Sequence, residues 1–163
     1  MEVMIRAVCL EDLDRITEIE AICFPTAEAA TREAFQERIA AFPESFLVAE
    51  INGLIIGFIN GCATNSSVIY DELFHSTAGH IADGKNLAIF GLDVIPEYRK
   101  RGVASLLMKQ FFQVARSNGK EKVILTCKDR LVRYYESFGF ENNGISNSAH
   151  GGSKWFDMIL SLF

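Results

Sequence analysis

A single mixed α/β domain over residues 1–163 is the fold class that this sequence predicts, on three observations. Residues 87–127 read as strand, turn, helix and strand, which calls for a parallel, right-handed crossover. Asn52-Gly53 between Ile51 and Leu54 is a strong short hairpin signal and calls for an antiparallel pair. Finally, 163 residues with 49% hydrophobic side chains and 13 phenylalanines suffice for one substantial core, and neither a repeat nor a linker divides the chain.

Taken in order, Met4 to Val8 is expected as a first strand. Leu10 to Cys23 is expected as a helix, with Leu13, Ile16, Ile19 and Ile22 or Cys23 on one face, Asp12 or Asp14 near its start and Pro25 past its end. Ala27 to Ala41, with Phe35 and Ile39 four apart and Pro43 behind, reads as a second helix; its thin apolar face suits a mobile lid equally well. Ser45 to Ile51 and Leu54 to Ala63 are the arms of the hairpin. Residues 64–86 form a polar interval with Tyr70, Asp71, Glu72, His75 and His80, too long for a passive connection. It reads either as the border of a site or as a surface excursion carrying two solvated histidines. Leu87 to Ile95 is an aliphatic strand that Pro96 ends. A helix begins near Gly102, with Val103, Leu107, Phe111 and Val114 at helical spacing. Gly119 stops it. Glu121 to Cys127 is the next strand, Arg130 to Ser137 a short helix closed by Gly139, Asn142 to Gly152 a loop, and Ser153 to Leu162 the last strand.

Composition narrows the function classes. A net charge of -5 and a pI near 5.2 speak against nucleic acid as a partner, because phosphate binding needs a broad basic surface. Mean hydropathy is +0.15, yet no run approaches the roughly 20 apolar residues of a membrane helix, and the N-terminus shows no secretory pattern. A soluble, cytoplasmic protein is therefore expected. Cys9, Cys23, Cys62 and Cys127 are widely spaced without a CxxC pair, so buried thiols are expected rather than a zinc site or disulfides. His75 and His80 lie five apart with no carboxylate pattern around them, and no metal is assigned.

The turn Pro96-Glu97-Tyr98-Arg99-Lys100-Arg101-Gly102 carries the chemistry. The first turn of a helix leaves backbone N–H groups unpaired and adds partial positive charge. Gly102 has no side chain, Ala104 only a methyl, and Arg99, Lys100 and Arg101 surround the spot with charge, so a diphosphate fits there. On these residues alone, an ordinary solvated loop fits as well.

Arg99-x-x-Gly102-x-Ala104 after Leu92-Asp93-Val94 resembles the acetyl-CoA signature of the GNAT N-acetyltransferases, [Gln/Arg]-x-x-Gly-x-[Gly/Ala]. Downstream, Cys127 to Phe140 resembles the family's second signature, with Tyr135 ahead of Phe138-Gly139-Phe140. Within the superfamily, Leu131-Val132-x-x-Tyr135-Glu136-x-Phe138-Gly139-Phe140 is most similar to the arylalkylamine (serotonin) N-acetyltransferase group, and the order of elements is similar along essentially the whole chain. The resemblance implies the acyl-CoA N-acyltransferase fold: a mixed, mostly antiparallel sheet with a splayed parallel central pair and helices on both faces. It also implies acetyl-CoA as co-substrate. Backbone groups of Leu92, Asp93 and Val94 would pair with the pantetheine arm, and amides of Lys100, Arg101, Gly102, Val103, Ala104 and Ser105 would hold the pyrophosphate. Tyr135 would contact the cofactor and protonate the departing thiolate, while Tyr134 is expected to be packing.

The implied reaction is transfer of acetyl, or a longer acyl group, to a primary amine of a small molecule by direct attack. An alkylammonium with a pKa of about 10.4 leaves about one molecule in a thousand ready at neutral pH, so a base must act. The relatives' two strand histidines are matched here by Ala88 and Phe90, neither of which accepts a proton. His75, His80, Glu28, Glu72 or an ordered water are the substitutes, with Phe24, Phe35, Phe42 and Phe90 as apolar pocket walls. A nucleophilic Cys127 is disfavoured, since no His-Asp or His-Asn set marks it. The expected partners are the amine and at most a second copy in a homodimer, with no nucleic acid and no membrane. Two rivals remain: a non-catalytic acyl-CoA-binding regulatory module, and a protein or peptide N-acetyltransferase.

Overall fold

The computed structural model describes residues 2–163. Seven strands, β1 (Met4–Ala7), β2 (Phe46–Ile51), β3 (Leu54–Thr64), β4 (Asn86–Val94), β5 (Lys122–Cys127), β6 (Glu141–Ile145) and β7 (Phe156–Ser161), form one sheet in the order β1-β2-β3-β4-β5-β7-β6. The helices are α1 (Leu13–Cys23), α2 (Arg32–Ala41), α3 (Asp71–His75), α4 (Val103–Ser117) and α5 (Val132–Glu136). β4 and β5 run parallel, while β1-β2, β2-β3, β5-β7 and β6-β7 are antiparallel, the mixed, mostly antiparallel sheet that was expected. Contacts group the chain into two compact units: the residues up to Gly61 with Gly91–Val114, and Cys62–Phe90 with Ala115–Phe163.

In the first unit the β2-β3 turn is Asn52-Gly53, with φ of 50° and 82°, both left-handed as a tight hairpin turn demands. Leu13, Ile16 and Ile19 of α1 are buried as the spacing required, but Ile22 is half exposed. The helix starts after a 3-10 turn at Leu10–Asp12, where the Asp12 carboxylate accepts the Cys9 N–H at 2.9 Å as a cap of that turn and both of its oxygens accept from Arg6 at 2.8 and 2.9 Å. The second helix is shorter than the alanine run suggested. It begins at Arg32 because Thr31 accepts the Ala34 N–H at its side chain, whereas alanines 27, 29 and 30 offer no side-chain acceptor to close a first turn. Phe35 is fully buried and packs on the rings of Phe46 and Phe58 at 6.0 and 5.6 Å, so α2 is a core helix rather than a lid. At Gly57 on β3 an added Cβ would lie 2.5 Å from the Asp93 carbonyl oxygen, a separation no side chain tolerates.

In the second unit the parallel ladder pairs Asn86, Leu87 and Ala88 with Lys122, Val123 and Ile124, and β4 then runs on to Val94. The polar interval 64–86 is built rather than solvated. It contains α3, His80 Nδ1 accepts the Ala63 N–H at 3.1 Å, and the buried Lys120 ammonium donates to the carbonyls of Ala82 and Gly84. At Gly119, φ is 70°, and Lys120 N–H reaches the Ala115 carbonyl at 3.0 Å, the six-to-one closure that ends α4. Residues 142–152 are not one loop: β6 pairs with β7, with a register shift between Asn142 and Ile145 where Gly144 sits at φ 93°. Among the cysteines, Cys62 and Cys127 are buried and Cys23 half-buried, but Cys9 is exposed. No helix among the described residues is long and apolar enough to cross a membrane.

Candidate active site

The sequence-expected anion turn follows β4. Pro96–Tyr98 makes a 3-10 turn, and Arg99 folds back so that its Nε donates to the Val94 carbonyl at 2.8 Å, which fixes the loop. Lys100 and Gly102 take left-handed φ of 61° and 83°. For a lysine this is a rare conformation, held only where its surroundings favour it. An added Cβ at Gly102 would meet nothing within 4 Å, so the ground above it is open. The first bond of α4 runs from Leu106 N–H to the Gly102 carbonyl at 3.1 Å, leaving the amides of Val103, Ala104 and Ser105 without a helical acceptor. Lys100 and Arg101 are exposed beside them, with Arg101 lying 5.4 Å over the Tyr98 ring. Three amides at a fifteen-residue helix start, two cations and a cradle without a side chain suit a pyrophosphate.

Leu92, Asp93 and Val94 end the strand just before this turn. Asp93 sends its side chain into a buried polar cluster that sequence reasoning missed. A Cβ built on Gly91 would lie 3.2 Å from Asp93 Oδ1, 3.6 Å from Asn60 Nδ2 and 4.0 Å from Glu20 Oε1, so the absent side chain makes room for the cluster. Arg38 Nη1 donates to Asn60 Oδ1 at 3.0 Å, and the Ala30 N–H donates to Glu20 Oε2 at 2.8 Å. Desolvation, then the neighbouring Glu20 charge, hold the Asp93 carboxyl well above the usual carboxylate range, with Arg38 opposing. The Asp93 carboxyl therefore holds its proton far more tightly than a free carboxyl does. The only trace in the sequence is a glycine two residues before an aspartate inside an aliphatic run.

In the second unit, Tyr135 is half-buried on α5, its ring 6.0 Å from Phe140 and 5.2 Å from Tyr134. Tyr134 also packs edge-on against Phe138, the packing role assigned to it, and burial raises its phenol. Burial pushes the Cys127 thiol up to about 11, with the charges of Asp129 and Glu136 adding to the effect. A thiol so weakly acidic makes a poor nucleophile at neutral pH. Ala88 is buried, and Phe90 packs on Phe74 at 5.2 Å. The Phe74 ring in turn stacks on His150, 4.9 Å away and inclined by 14°. His150, another residue that sequence reasoning passed over, came from a stretch read as featureless loop.

Of the other base candidates, His80 is engaged by the Ala63 N–H, His75 and Glu72 are exposed, and Glu28 is partly exposed in the first unit. Phe35 and Phe42 are fully buried core residues, while Phe24 and Phe90 are half-buried. Among the described residues, no cluster of three or more His, Cys, Asp or Glu is placed to hold a metal.

Known proteins share this architecture. The chain is 25% identical over 150 residues to N-alpha-acetyltransferase 60 of Xenopus tropicalis, covering 87% of this chain and 61% of that protein. It is 27% identical over 161 residues to serotonin N-acetyltransferase of Mesocricetus auratus, covering 94% and 76%. The chain spans 40% and 61% of the lengths of the first two curated relatives it matches. A solved structure, "GphF GNAT-like decarboxylase in complex with isobutyryl-CoA", superposes with a TM-score of 0.86 at 21% identity, over 98% of this chain and 100% of that one. Such a likeness shows a shared fold. The profile of the "Acetyltransferase (GNAT) family" matches residues 13–140, and with most of the chain inside that match, including the anion turn and Tyr135, the chain belongs to this family.

Proposed function

We propose that this chain is an acetyl-CoA-dependent N-acetyltransferase that acetylates a primary amine of a small molecule by direct attack. The observation that carries this reading is the open helix start at Gly102, with amides facing outward and cations beside them, in a member of this family. In this reading the amides of residues 100–105 and the side chains of Lys100 and Arg101 take the pyrophosphate. Backbone groups of Leu92, Asp93 and Val94 meet the pantetheine arm. The thioester supplies an activated acetyl carbon and a thiolate leaving group, and the Tyr135 phenol gives that thiolate its proton. Within the family we place the chain beside the arylalkylamine group, on Leu131-Val132-x-x-Tyr135-Glu136-x-Phe138-Gly139-Phe140, and its working compartment in the cytoplasm.

A second reading, acetylation of peptide N-termini, is supported by the match to N-alpha-acetyltransferase 60. Free thiol release from acetyl-CoA across a panel of small amines and short peptides, for wild type and Tyr135→Phe, separates the readings. Turnover on small amines that falls in the variant supports the first; turnover confined to peptides supports the second. Cofactor binding with no turnover on either would make the chain a non-catalytic acyl-CoA-binding module.

A further inference from the structure

Strand β4 carries a notch at Gly91, and the polar groups around it do not satisfy one another. From the spot that a Cβ of residue 91 would take, the three nearest groups are Asp93 Oδ1 at 3.2 Å, Asn60 Nδ2 at 3.6 Å and Glu20 Oε1 at 4.0 Å. Glu20, Asn60, Gly91 and Asp93 all belong to the first unit. Asp93 and Asn60 are 1% exposed and Glu20 7%, yet Glu20 Oε1 and both Asp93 carboxyl oxygens have no hydrogen-bond partner among the protein groups. Buried oxygens in native proteins are paired as a rule, through water where no protein group reaches them. The side chains are also held where they are. Glu20 Oε2 accepts the Ala30 N–H at 2.8 Å, and Asn60 Oδ1 accepts from Arg38 Nη1 at 3.0 Å, which turns Nδ2 towards the notch. Gly91 itself is partly exposed, so solvent reaches the strand at this point.

We propose that the Gly91 notch is a binding site for one ordered water, which accepts from Asn60 Nδ2 and bonds to Glu20 Oε1 and Asp93 Oδ1. The donor set selects water over an ion. Asn60 presents an N–H and the two carboxyls present oxygens, and a molecule that both accepts and donates meets all three. A cation would lie against the Asn60 N–H with the buried Arg38 guanidinium close behind it, and an anion would lie against the Glu20 charge. The groups that act on Asp93 are Glu20 and Cys23 from α1 and Arg38 from α2; with its proton in place Asp93 adds no charge to the Glu20 and Arg38 pair, so no net charge calls for a counter-ion. The water joins α1, β3 and β4 immediately before Leu92–Val94, and so helps to shape that end of the strand. The site stands whether or not the chain acetylates amines.

The test compares wild type with Gly91→Ala and Gly91→Ser by urea unfolding, by water-oxygen magnetic relaxation dispersion and by crystallography. Both variants add the same Cβ, 3.2 Å from Asp93 Oδ1, and Gly91 has no left-handed φ to strain either of them. Serine alone also brings an oxygen that takes over the bonds of the water. Gly91→Ala should therefore raise the unfolding constant about tenfold, because buried oxygens lose their partner, and Gly91→Ser should recover most of that loss. A purely steric defect would make the larger serine the worse of the two. Dispersion should show one long-lived water fewer in Gly91→Ala than in wild type, and the wild-type crystal should show an oxygen about 2.7–3.2 Å from Asn60 Nδ2, Glu20 Oε1 and Asp93 Oδ1. Serine no better than alanine, an unchanged count of long-lived waters in Gly91→Ala, or a direct bond from Asp93 to Glu20 in the crystal would each overturn the site. Stabilisation of wild type, but not of Gly91→Ala, by sodium or ammonium chloride would overturn it in favour of a cation. Should neither variant fold, the wild-type crystal decides alone: the bonded oxygen upholds the site, and its absence ends it.

Discussion

Replacing Asp93 by asparagine should make the protein more stable, by an amount that depends on pH. In the folded chain the carboxyl is buried beside Glu20 and keeps its proton well above the usual range; in the unfolded chain it ionises near about 3.9. From about pH 4 upward the folded state thus binds more protons than the unfolded one, and stability falls as pH rises. The slope is about 1.4 kcal/mol per pH unit, and it ends where the folded group itself ionises. Asparagine has the same shape and no proton to lose. The advantage of Asp93→Asn should therefore be small near about pH 4 and widen with pH, to a ceiling of about 4 kcal/mol at pH 7. Urea unfolding at a series of pH values, followed by circular dichroism and by fluorescence of Trp155, the single tryptophan, gives the difference directly. Parallel curves for the two proteins, or a variant that loses ground as pH rises, would refute the raised Asp93 carboxyl.

Gly102→Ala should cost about 1–2 kcal/mol of stability from its left-handed φ, and should weaken acetyl-CoA binding by more than that because the methyl enters the open ground above the turn; calorimetric titration with coenzyme A reads the second effect. Phe35→Ala should lose about 3–5 kcal/mol in urea unfolding, as the ring is fully buried against Phe46 and Phe58. At Asp12, burial resists ionisation, but the hydrogen bonds from Arg6 and Cys9 outweigh it and keep the carboxyl below the usual range. Its contribution is accordingly complete above about pH 4 and lost as pH falls further, so Asp12→Asn should flatten the acid side of the stability curve.

What could be read from residues alone was what local chemistry dictates. Asn52-Gly53 forces its turn by backbone sterics, Val103, Leu107 and Phe111 bury one stripe of α4, and Gly119 ends that helix, all from contacts within a few residues of each other. Strand β6 was lost because Glu141-Asn142-Asn143-Gly144-Ile145 has a single β-branched residue and turn-forming composition; its pairing with β7 overrides weak propensity. Helix α3 hid in a polar interval because its five residues carry no full apolar period, and Leu73 alone is buried. In the candidate site, Gly102 and its neighbours follow from the start of a helix. The Asp93–Glu20 pair and the approach of His150 to Phe74 instead join residues some seventy positions apart, and no pattern along the chain marks such meetings.

The contact at Gly57 has a consequence for how the sheet finds its alignment. Its neighbours in sequence are Ile56 and Phe58, both fully buried, and a slip of β3 by one position would drive one of their side chains into the Asp93 carbonyl. Misaligned sheets are thereby made costly at a single point, so saturation mutagenesis should find position 57 intolerant of even the smallest methyl although it touches no reactant. The glycine acts as a gauge block: it admits one alignment of two strands and rejects its nearest competitors.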